Sequence, residues 1–148
     1  MTEDELIALV GHRFEGGTYT IAQWENRLLT EATGRAALPD GLAHPIALFH
    51  ASMAGARVTI GDILTLAGME APDGDDGVVL LGYDWEFLQP LREDEPYTME
   101  GGVIAAERKT GRSGRTTDLL TFEITLTDRE GEATGRTTNV WGFRRGET

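Results

Sequence analysis

Two residues with complementary acid–base chemistry, Asp40 and His44, lie four positions apart, and a second imidazole, His50, follows shortly after them. An imidazole has an ordinary pKa of about 6.5, so at neutral pH it can either accept or donate a proton. A nearby carboxylate can orient that imidazole or hold a water molecule beside it. These three residues are therefore the candidates for proton-transfer chemistry.

Each candidate also has a purely structural interpretation. His44 fits a residue that caps or supports the start of a helix, and Asp40 lies in Pro-Asp-Gly, a sequence typical of turns. His50 fits a histidine whose nitrogens are satisfied inside a core. The remaining histidine, His12, is predicted to lie on the surface. The residues alone leave these alternatives open.

The segment that holds His50 predicts a central helix over Pro45–Ala54. Its other side chains are apolar or small, and proline is favoured in the first turn of a helix. Gly55 follows where a left-handed C-terminal cap is expected. A helix that is apolar on nearly all sides is a buried helix, and this one is much shorter than the roughly twenty residues that a bilayer requires.

Hydrophobic periodicity predicts the helical elements around this segment. Asp4–Val10 forms a helical turn, and a longer helix begins at a capping box, Thr20-Ile-Ala-Gln23, and ends at Gly34. Trp24, Leu28 and Ala32 give that helix its apolar stripe. A weaker helical pattern covers Ile60–Met69.

Strands are predicted mainly in the second half of the chain, where the pattern changes to period two. Phe122, Ile124 and Leu126, for example, alternate with polar residues and are expected to point inward. We expect an acidic loop over Glu70–Gly77, followed by four strands in meander connection. The predicted strands are Gly17–Thr20, Val78–Leu88, Tyr97–Arg108, Leu119–Thr127 and Glu132–Arg144.

Composition limits the possible functions. A chain of 148 residues without a linker is most simply one domain, spanning 1–148, and its net charge of −12 argues against a nucleic-acid partner. The absence of cysteine excludes disulfides and thiolate chemistry, and three histidines without a metal motif argue against a metal site. We expect no cofactor and no membrane association. The acidic start, unlike a secretory signal, predicts a cytoplasmic protein.

The order of these elements predicts an α+β hot-dog fold, a curved antiparallel sheet wrapped around the central buried helix Pro45–Ala54. The sequence also resembles MaoC-like dehydratases and (R)-specific enoyl-thioester hydratases over most of its length. The motifs that carry the resemblance are Val10-Gly-His-Arg-Phe, Tyr19-Thr-Ile-Ala-Gln, Glu31-Ala-Thr-Gly34, Gly41-Leu-Ala-His-Pro45 and Trp85-Glu-Phe-Leu-Gln-Pro-Leu-Arg-Glu-Asp94.

The resemblance implies addition of water to, or its removal from, a double bond conjugated to a thioester. In the family, an Asp and a His move the protons, and a backbone N–H at the start of the central helix polarises the carbonyl. Here Arg35, not Asp, follows Gly34. The implied general base is therefore His44, with Asp40 as the carboxylate that orients it or the water.

The resemblance also implies substrate-binding residues. His50 would line the acyl tunnel or take the helix-borne acid–base position of related bacterial hot-dog dehydratases, and the other predicted lining residues are Phe49, Met53, Trp85 and Phe87. The basic residues Arg108, Lys109 and Arg144 would bind the phosphate of CoA or acyl carrier protein, although a solvated hairpin and tail is the simpler explanation of their clustering.

Three functions follow as expectations. The first is a hydratase or dehydratase of acyl thioesters carried by CoA or acyl carrier protein. The second is a non-catalytic subunit that pairs with a dyad-bearing hot-dog chain, which the missing Asp after Gly34 favours. The third is an acyl-thioesterase, disfavoured because Pro45–Gly55 holds no carboxylate. A homodimer or a heterodimer with another hot-dog subunit is expected.

Overall fold

The computed structural model describes residues 1–69, 77–112 and 114–145. The helices are α1 (Glu3–Ile7), α2 (Gln23–Ala32), α3 (Ala47–Gly55) and α4 (Ile60–Leu66). The strands are β1 (Gly17–Thr20), β2 (Val78–Phe87), β3 (Pro96–Thr110), β4 (Thr116–Thr127) and β5 (Ala133–Arg144). The predicted acidic loop falls, except for Gly77, outside the described residues. In the part of the chain that is described, no helix is long and apolar enough to cross a membrane.

Side-chain caps fix the starts of the two short helices. Thr2 and Glu5 form a capping box at α1, and Thr59 and Asp62 form one at α4. Each box satisfies backbone N–H groups that a helix start leaves without partners. The capping box predicted at Thr20 is wrong, because α2 starts after Ala22 without a side-chain cap.

Helix α2 is oriented differently from the prediction. Trp24 is 68% exposed and Leu28 57%, so the predicted apolar stripe faces outward. The buried face instead carries the polar residues Glu25, Asn26 and Thr30. Burial of polar groups is tolerated when they are hydrogen-bonded, and all three have partners.

The central helix α3 is buried on one face only. Ala47, Leu48 and Ala51 are buried, whereas Phe49 and His50 lie on an open face, so the predicted enclosure on nearly all sides is wrong. A helix of small residues on one side packs closely against a sheet. The larger side chains are then left at the surface of α3.

Gly55 is required by packing rather than by a cap. It is the last residue of α3, and the left-handed residue nearby is Arg57, with φ of 55°. A Cβ at Gly55 would fall on the sulfur of the buried Met99. The predicted left-handed cap at Gly55 is therefore wrong.

The five strands form one antiparallel sheet in the order β1-β3-β4-β5-β2. Strands β3, β4 and β5 form a meander, but β2 pairs with β5 and lies at the sheet edge, so a meander of all four strands is wrong. The chain after β2 bonds to the loop before α3, where Ala43 N–H donates to Leu91 O and Glu93 N–H to Gly41 O. This connection carries the chain past the start of α3, from the edge strand β2 to β3 near the opposite edge of the sheet.

The sheet face that packs on α3 holds the core. Phe122, Ile124 and Leu126 are fully buried, which confirms their predicted inward orientation. Gly135 of β5 lies so close to α3 that a Cβ there would be 2.8 Å from Leu48 Cδ1. Each large apolar side chain buried in this way contributes about 2 kcal/mol to folding.

Candidate functional site

His44 lies directly before α3 and is held by its surroundings. Its backbone N–H donates to Asn26 Oδ1 at 2.8 Å, and its Nδ1 accepts the N–H of Ile46 at 3.2 Å. Its Nε2 lies 3.5 Å from Thr33 Oγ1. Because Nδ1 accepts a backbone hydrogen bond, Nε2 is the nitrogen left for proton exchange.

Asp40 is not brought to His44. Asp40 adopts a left-handed conformation with φ of 58° in an exposed turn, and its carbonyl oxygen accepts a hydrogen bond from Arg92 Nη1 at 3.1 Å. Within the described residues, its carboxylate makes neither a hydrogen bond nor an ion pair with His44. The catalytic roles of Asp40 and His44 stay predictions.

Asn26 organises the start of α3 and was not singled out from the sequence. Besides binding His44, its Nδ2 donates to Leu42 O at 3.2 Å and to Glu93 Oε2 at 2.8 Å. A buried amide that satisfies three partners on two loops fixes both loops relative to α2. The available sequence signal was the pair Asn26 and Thr30, polar residues spaced i, i+4 within an otherwise amphipathic helix.

An apolar cavity of about 360 Å³ opens beside the start of α3. Its walls come from the loop before α3 and from the end of β2, and the lining residues are Leu38, Leu42, Ala43, Pro45, Phe87, Leu88, Gln89, Pro90 and Leu91. His44 lies between two of these residues in the chain. Of the predicted substrate-binding residues, this cavity contains Phe87.

A row of aromatic side chains continues from the cavity along β2. The Phe49 ring packs edge-on against Tyr83 with centroids 5.4 Å apart and lies 6.1 Å from the Trp85 ring. Phe49 and Trp85 are each more than one third exposed. Met53 packs instead against the core. Phe87, Trp85 and Phe49 thus form a continuous apolar surface from the cavity to the open face of α3.

A carboxylate–imidazole pair occupies the other side of that open face. His50 Nε2 lies 3.3 Å from Glu25 Oε1, and the side chains are 52% and 10% exposed. The Tyr19 hydroxyl donates to the same carboxylate oxygen at 2.9 Å, and its ring packs edge-on against the His50 ring. Neither Glu25 nor Tyr19 was singled out from the sequence, because Glu25 sits on a helix face that the apolar stripe predicts to be exposed.

Tyr19 keeps its proton at neutral pH. Burial, followed by the hydrogen bond and charge of Glu25, raises the pKa of Tyr19 to about 12. A protonated phenol is a hydrogen-bond donor to an ionised carboxylate. Tyr19 therefore fixes the carboxylate of Glu25 beneath the imidazole of His50.

The basic residues predicted to bind phosphate are largely engaged with carboxylates. Arg108 makes two hydrogen bonds of 2.6 and 2.9 Å to the buried Asp118, which also accepts one from Arg145 at 2.6 Å. Burial opposes ionisation of Asp118, but the two guanidinium groups outweigh it and lower its pKa. Lys109 pairs with Glu107 at 2.9 Å, and Arg144 is exposed. Phosphate binding by Arg108, Lys109 and Arg144 stays a prediction.

Among residues 1–69, 77–112 and 114–145, no three His, Asp or Glu side chains are arranged to hold a metal ion.

No protein-family model and no curated protein matches this sequence. Solved structures do match. The ChsH1–ChsH2 complex from Mycobacterium tuberculosis has a TM-score of 0.71 at 14% identity, covering 98% of this chain and 92% of that one. The HadBC (3R)-hydroxyacyl-ACP dehydratase complex from the same organism has a TM-score of 0.67 at 10% identity, covering 90% and 96%.

A MaoC-like dehydratase has a TM-score of 0.64 at 18% identity, covering 93% of this chain and 43% of that one. A hypothetical thioesterase from Streptococcus pneumoniae and a thioesterase superfamily protein are also among the similar structures. At these identities the similarity establishes architecture, which agrees with the antiparallel five-stranded sheet and its central helix. The chain therefore has the hot-dog fold shared by MaoC-like dehydratases, as the sequence predicts.

Proposed function

We propose that this protein hydrates 2-enoyl thioesters, or dehydrates 3-hydroxyacyl thioesters, of CoA or acyl carrier protein. The observation that carries the proposal is the exposed imidazole of His50 on the central helix, backed at 3.3 Å by the buried carboxylate of Glu25. An imidazole paired with a carboxylate moves protons efficiently at neutral pH. The apolar cavity and the aromatic row beside it suit an acyl chain.

The proton transfers can be assigned to single atoms. A carboxylate beside Nε2 favours the tautomer with its proton on Nε2, so Nδ1 keeps its lone pair. In hydration, Nδ1 takes a proton from water as the water oxygen bonds to C3. The C2–C3 π electrons move toward the thioester carbonyl, and the imidazolium then returns the proton to C2. Glu25 stabilises the imidazolium throughout, and dehydration is the same sequence reversed.

His44, with Asp40, is the competing assignment. His44 lies nearer the cavity, but its Nδ1 is occupied by the Ile46 N–H and the described residues place no carboxylate at ion-pair distance. An unpaired imidazole gains no help in holding the proton it takes from water. We therefore assign the acid–base role to His50, with Glu25 as its positioning residue.

The test is hydration of crotonyl-CoA and a longer 2-enoyl-CoA, followed by the loss of the conjugated enoyl absorbance. We expect His50→Gln to lower kcat by about 100-fold or more, in line with general acid–base catalysis. Glu25→Gln should lower kcat while changing KM little. His12→Gln, a change at an exposed histidine away from the site, is the control. Full activity of His50→Gln with loss in His44→Gln would reverse the assignment.

A second candidate is a non-catalytic subunit of a heteromeric hydratase. Two observations favour it: Asp40 does not reach His44, and the edge strand β2 exposes Leu80 and Leu81. Two of the similar structures are complexes, HadBC and ChsH1–ChsH2. An unpaired strand edge readily accepts a second chain.

Mixing with a dyad-bearing hot-dog protein from the same organism separates the two candidates. If the heterodimer hydrates enoyl-CoA at the wild-type rate when this chain carries both His50→Gln and His44→Gln, the chain is a non-catalytic subunit. If the double variant abolishes the rate, catalysis resides here.

A further inference from the structure

Strand β5 carries a row of buried polar groups without partners. Thr137, Asn139 and Trp141 are each at most 2% exposed. Within the described residues, Thr137 Oγ1, Asn139 Oδ1 and Nδ2, and Trp141 Nε1 make no hydrogen bond. More than nine in ten buried polar groups in proteins are hydrogen-bonded. Exceptions at three successive positions on one face of a strand therefore need a cause.

The row faces the central helix. Thr137, Asn139 and Trp141 share the face of Gly135, which lies against Leu48 of α3. Successive residues on one face of a strand are about 7 Å apart, so the three groups span about 13 Å. That length exceeds what one thioester carbonyl can occupy.

The row lies on β5, which is the strand next to the edge strand β2, and it runs beside the aromatic residues of β2. Asn139 is paired in register with Tyr83, and Thr137 with Trp85. Phe49 packs on both of those aromatic rings and is itself 38% exposed. Phe49 is therefore the side chain of α3 that covers the part of β2 paired with the polar row.

We propose that the acyl group bound by this protein carries its own oxygen atoms, hydroxyl or carbonyl groups along the chain, which bond to Thr137, Asn139 and Trp141. Asn139 offers both a donor and an acceptor, and the indole N–H of Trp141 offers a donor. A plain hydrocarbon chain would leave all of these groups without partners. The thioester part of this inference rests on the proposed function, whereas the oxygenated acyl group follows from the row itself.

The free protein gives a first test, because a buried polar group without a partner destabilises the fold. Replacing it with an apolar residue of the same shape is neutral or stabilising, whereas removing a satisfied group is destabilising. Asn139→Leu should therefore raise the melting temperature. Asn26→Leu is the matched control: Asn26 is equally buried but fully hydrogen-bonded, so this change should lower the melting temperature.

Ligand selectivity gives the second test. Thermal stabilisation by octenoyl-CoA is compared with that by octenoyl-CoA bearing a hydroxyl at C5 or at C7. The wild type should bind at least one hydroxylated chain about tenfold more tightly, the value of one good buried hydrogen bond. Asn139→Leu, together with Thr137→Val, should abolish the preference while keeping affinity for the plain chain.

The outcomes separate this inference from the proposed function. A lower melting temperature for Asn139→Leu, or equal binding of plain and hydroxylated chains by the wild type, would overturn the inference and leave hydration untouched. Selective binding of a hydroxylated chain without any turnover would support the inference and refute the proposed function.

Discussion

At the scale of single residues, Tyr19, Glu25 and His50 behave as one unit. The carboxylate is buried, the imidazole is exposed, and the phenol donates to the oxygen that the imidazole faces. No Lys or Arg of the described residues lies at ion-pair distance from Glu25. The charge of Glu25 is therefore directed toward His50, as the stabilisation of an imidazolium requires.

Tyr19 gives this unit a measurable signature at alkaline pH. Its pKa is raised from 10.0 to about 12, so the folded state holds the proton more tightly than the unfolded state. The stability that this supplies is complete below pH 10 and is lost as the pH rises from 10 to about 12. Urea unfolding should show the wild type losing stability relative to Tyr19→Phe across that window. A difference that stays constant with pH would contradict the hydrogen bond.

The sequence identified some residues around His50 as candidates for acid–base chemistry and missed others. Histidines and carboxylates near Pro45 stood out by type, but the partner of His50 did not. Glu25 is 25 positions earlier, on a helix whose apolar stripe predicted the opposite buried face. The contact between Glu25 and His50 depends on how two distant segments pack together. The hydrophobic pattern of either segment alone does not contain that information.

At the scale of elements, α3 is placed by how closely it approaches the sheet. Gly55 lies against Met99 of β3, and a Cβ there would overlap the Met99 side chain. Leu48 also lies close to the sheet, since a Cβ at Gly135 would be 2.8 Å from its Cδ1. Small residues at these points set the distance between helix and sheet.

Two glycine substitutions test this close approach. Gly55→Ala should destabilise the protein by about 2 kcal/mol, because overpacking forces a core side chain aside. Gly61→Ala, in α4 with only Thr59 Oγ1 at 3.6 Å from the added carbon, should stabilise it by about 0.5 kcal/mol. Guanidinium unfolding of both variants measures the difference, and a Gly55→Ala protein as stable as the wild type would refute the packing argument.

Strand assignments show which element properties a sequence predicts. Alternation in β4 placed Phe122, Ile124 and Leu126 inward correctly, since the period of a strand and its burial are both local. The pairing of β2 with β5 was not predicted. Neighbouring strands in sequence usually pair, whereas here the hydrogen bonds from Ala43 N–H to Leu91 O and from Glu93 N–H to Gly41 O hold a connection that leads from β2 to the non-adjacent strand β3.

At the scale of the whole molecule, the edge strand β2 is the surface best suited to a second chain. Leu80 and Leu81 are each more than half exposed beside a β-bulge, and among the described strands β2 has only β5 as a neighbour. Exposed apolar edges are prone to pairing unless a charge or proline blocks them. The sequence predicted a dimer from the fold, and this edge is where we expect it to form.

A charge on this edge should prevent assembly. Leu81→Lys should convert a dimer, homomeric or with a hot-dog partner, to monomers in native mass spectrometry. Ile104→Lys is the control, because Ile104 is similarly exposed at a bulge but lies on β3, which is not an edge strand of the sheet. A dimer unchanged by Leu81→Lys would place the interface elsewhere.

The most direct test of the central claim is incubation of the pure protein with a 2-enoyl-CoA in oxygen-18 water, followed by mass spectrometry of the products. Hydration predicts intact 3-hydroxyacyl-CoA carrying the heavy oxygen, with the label lost in His50→Gln. Label in a free carboxylic acid, with release of CoA, would identify a thioesterase. Unlabelled starting material alone, with and without a hot-dog partner, would contradict acyl-thioester hydration by this protein.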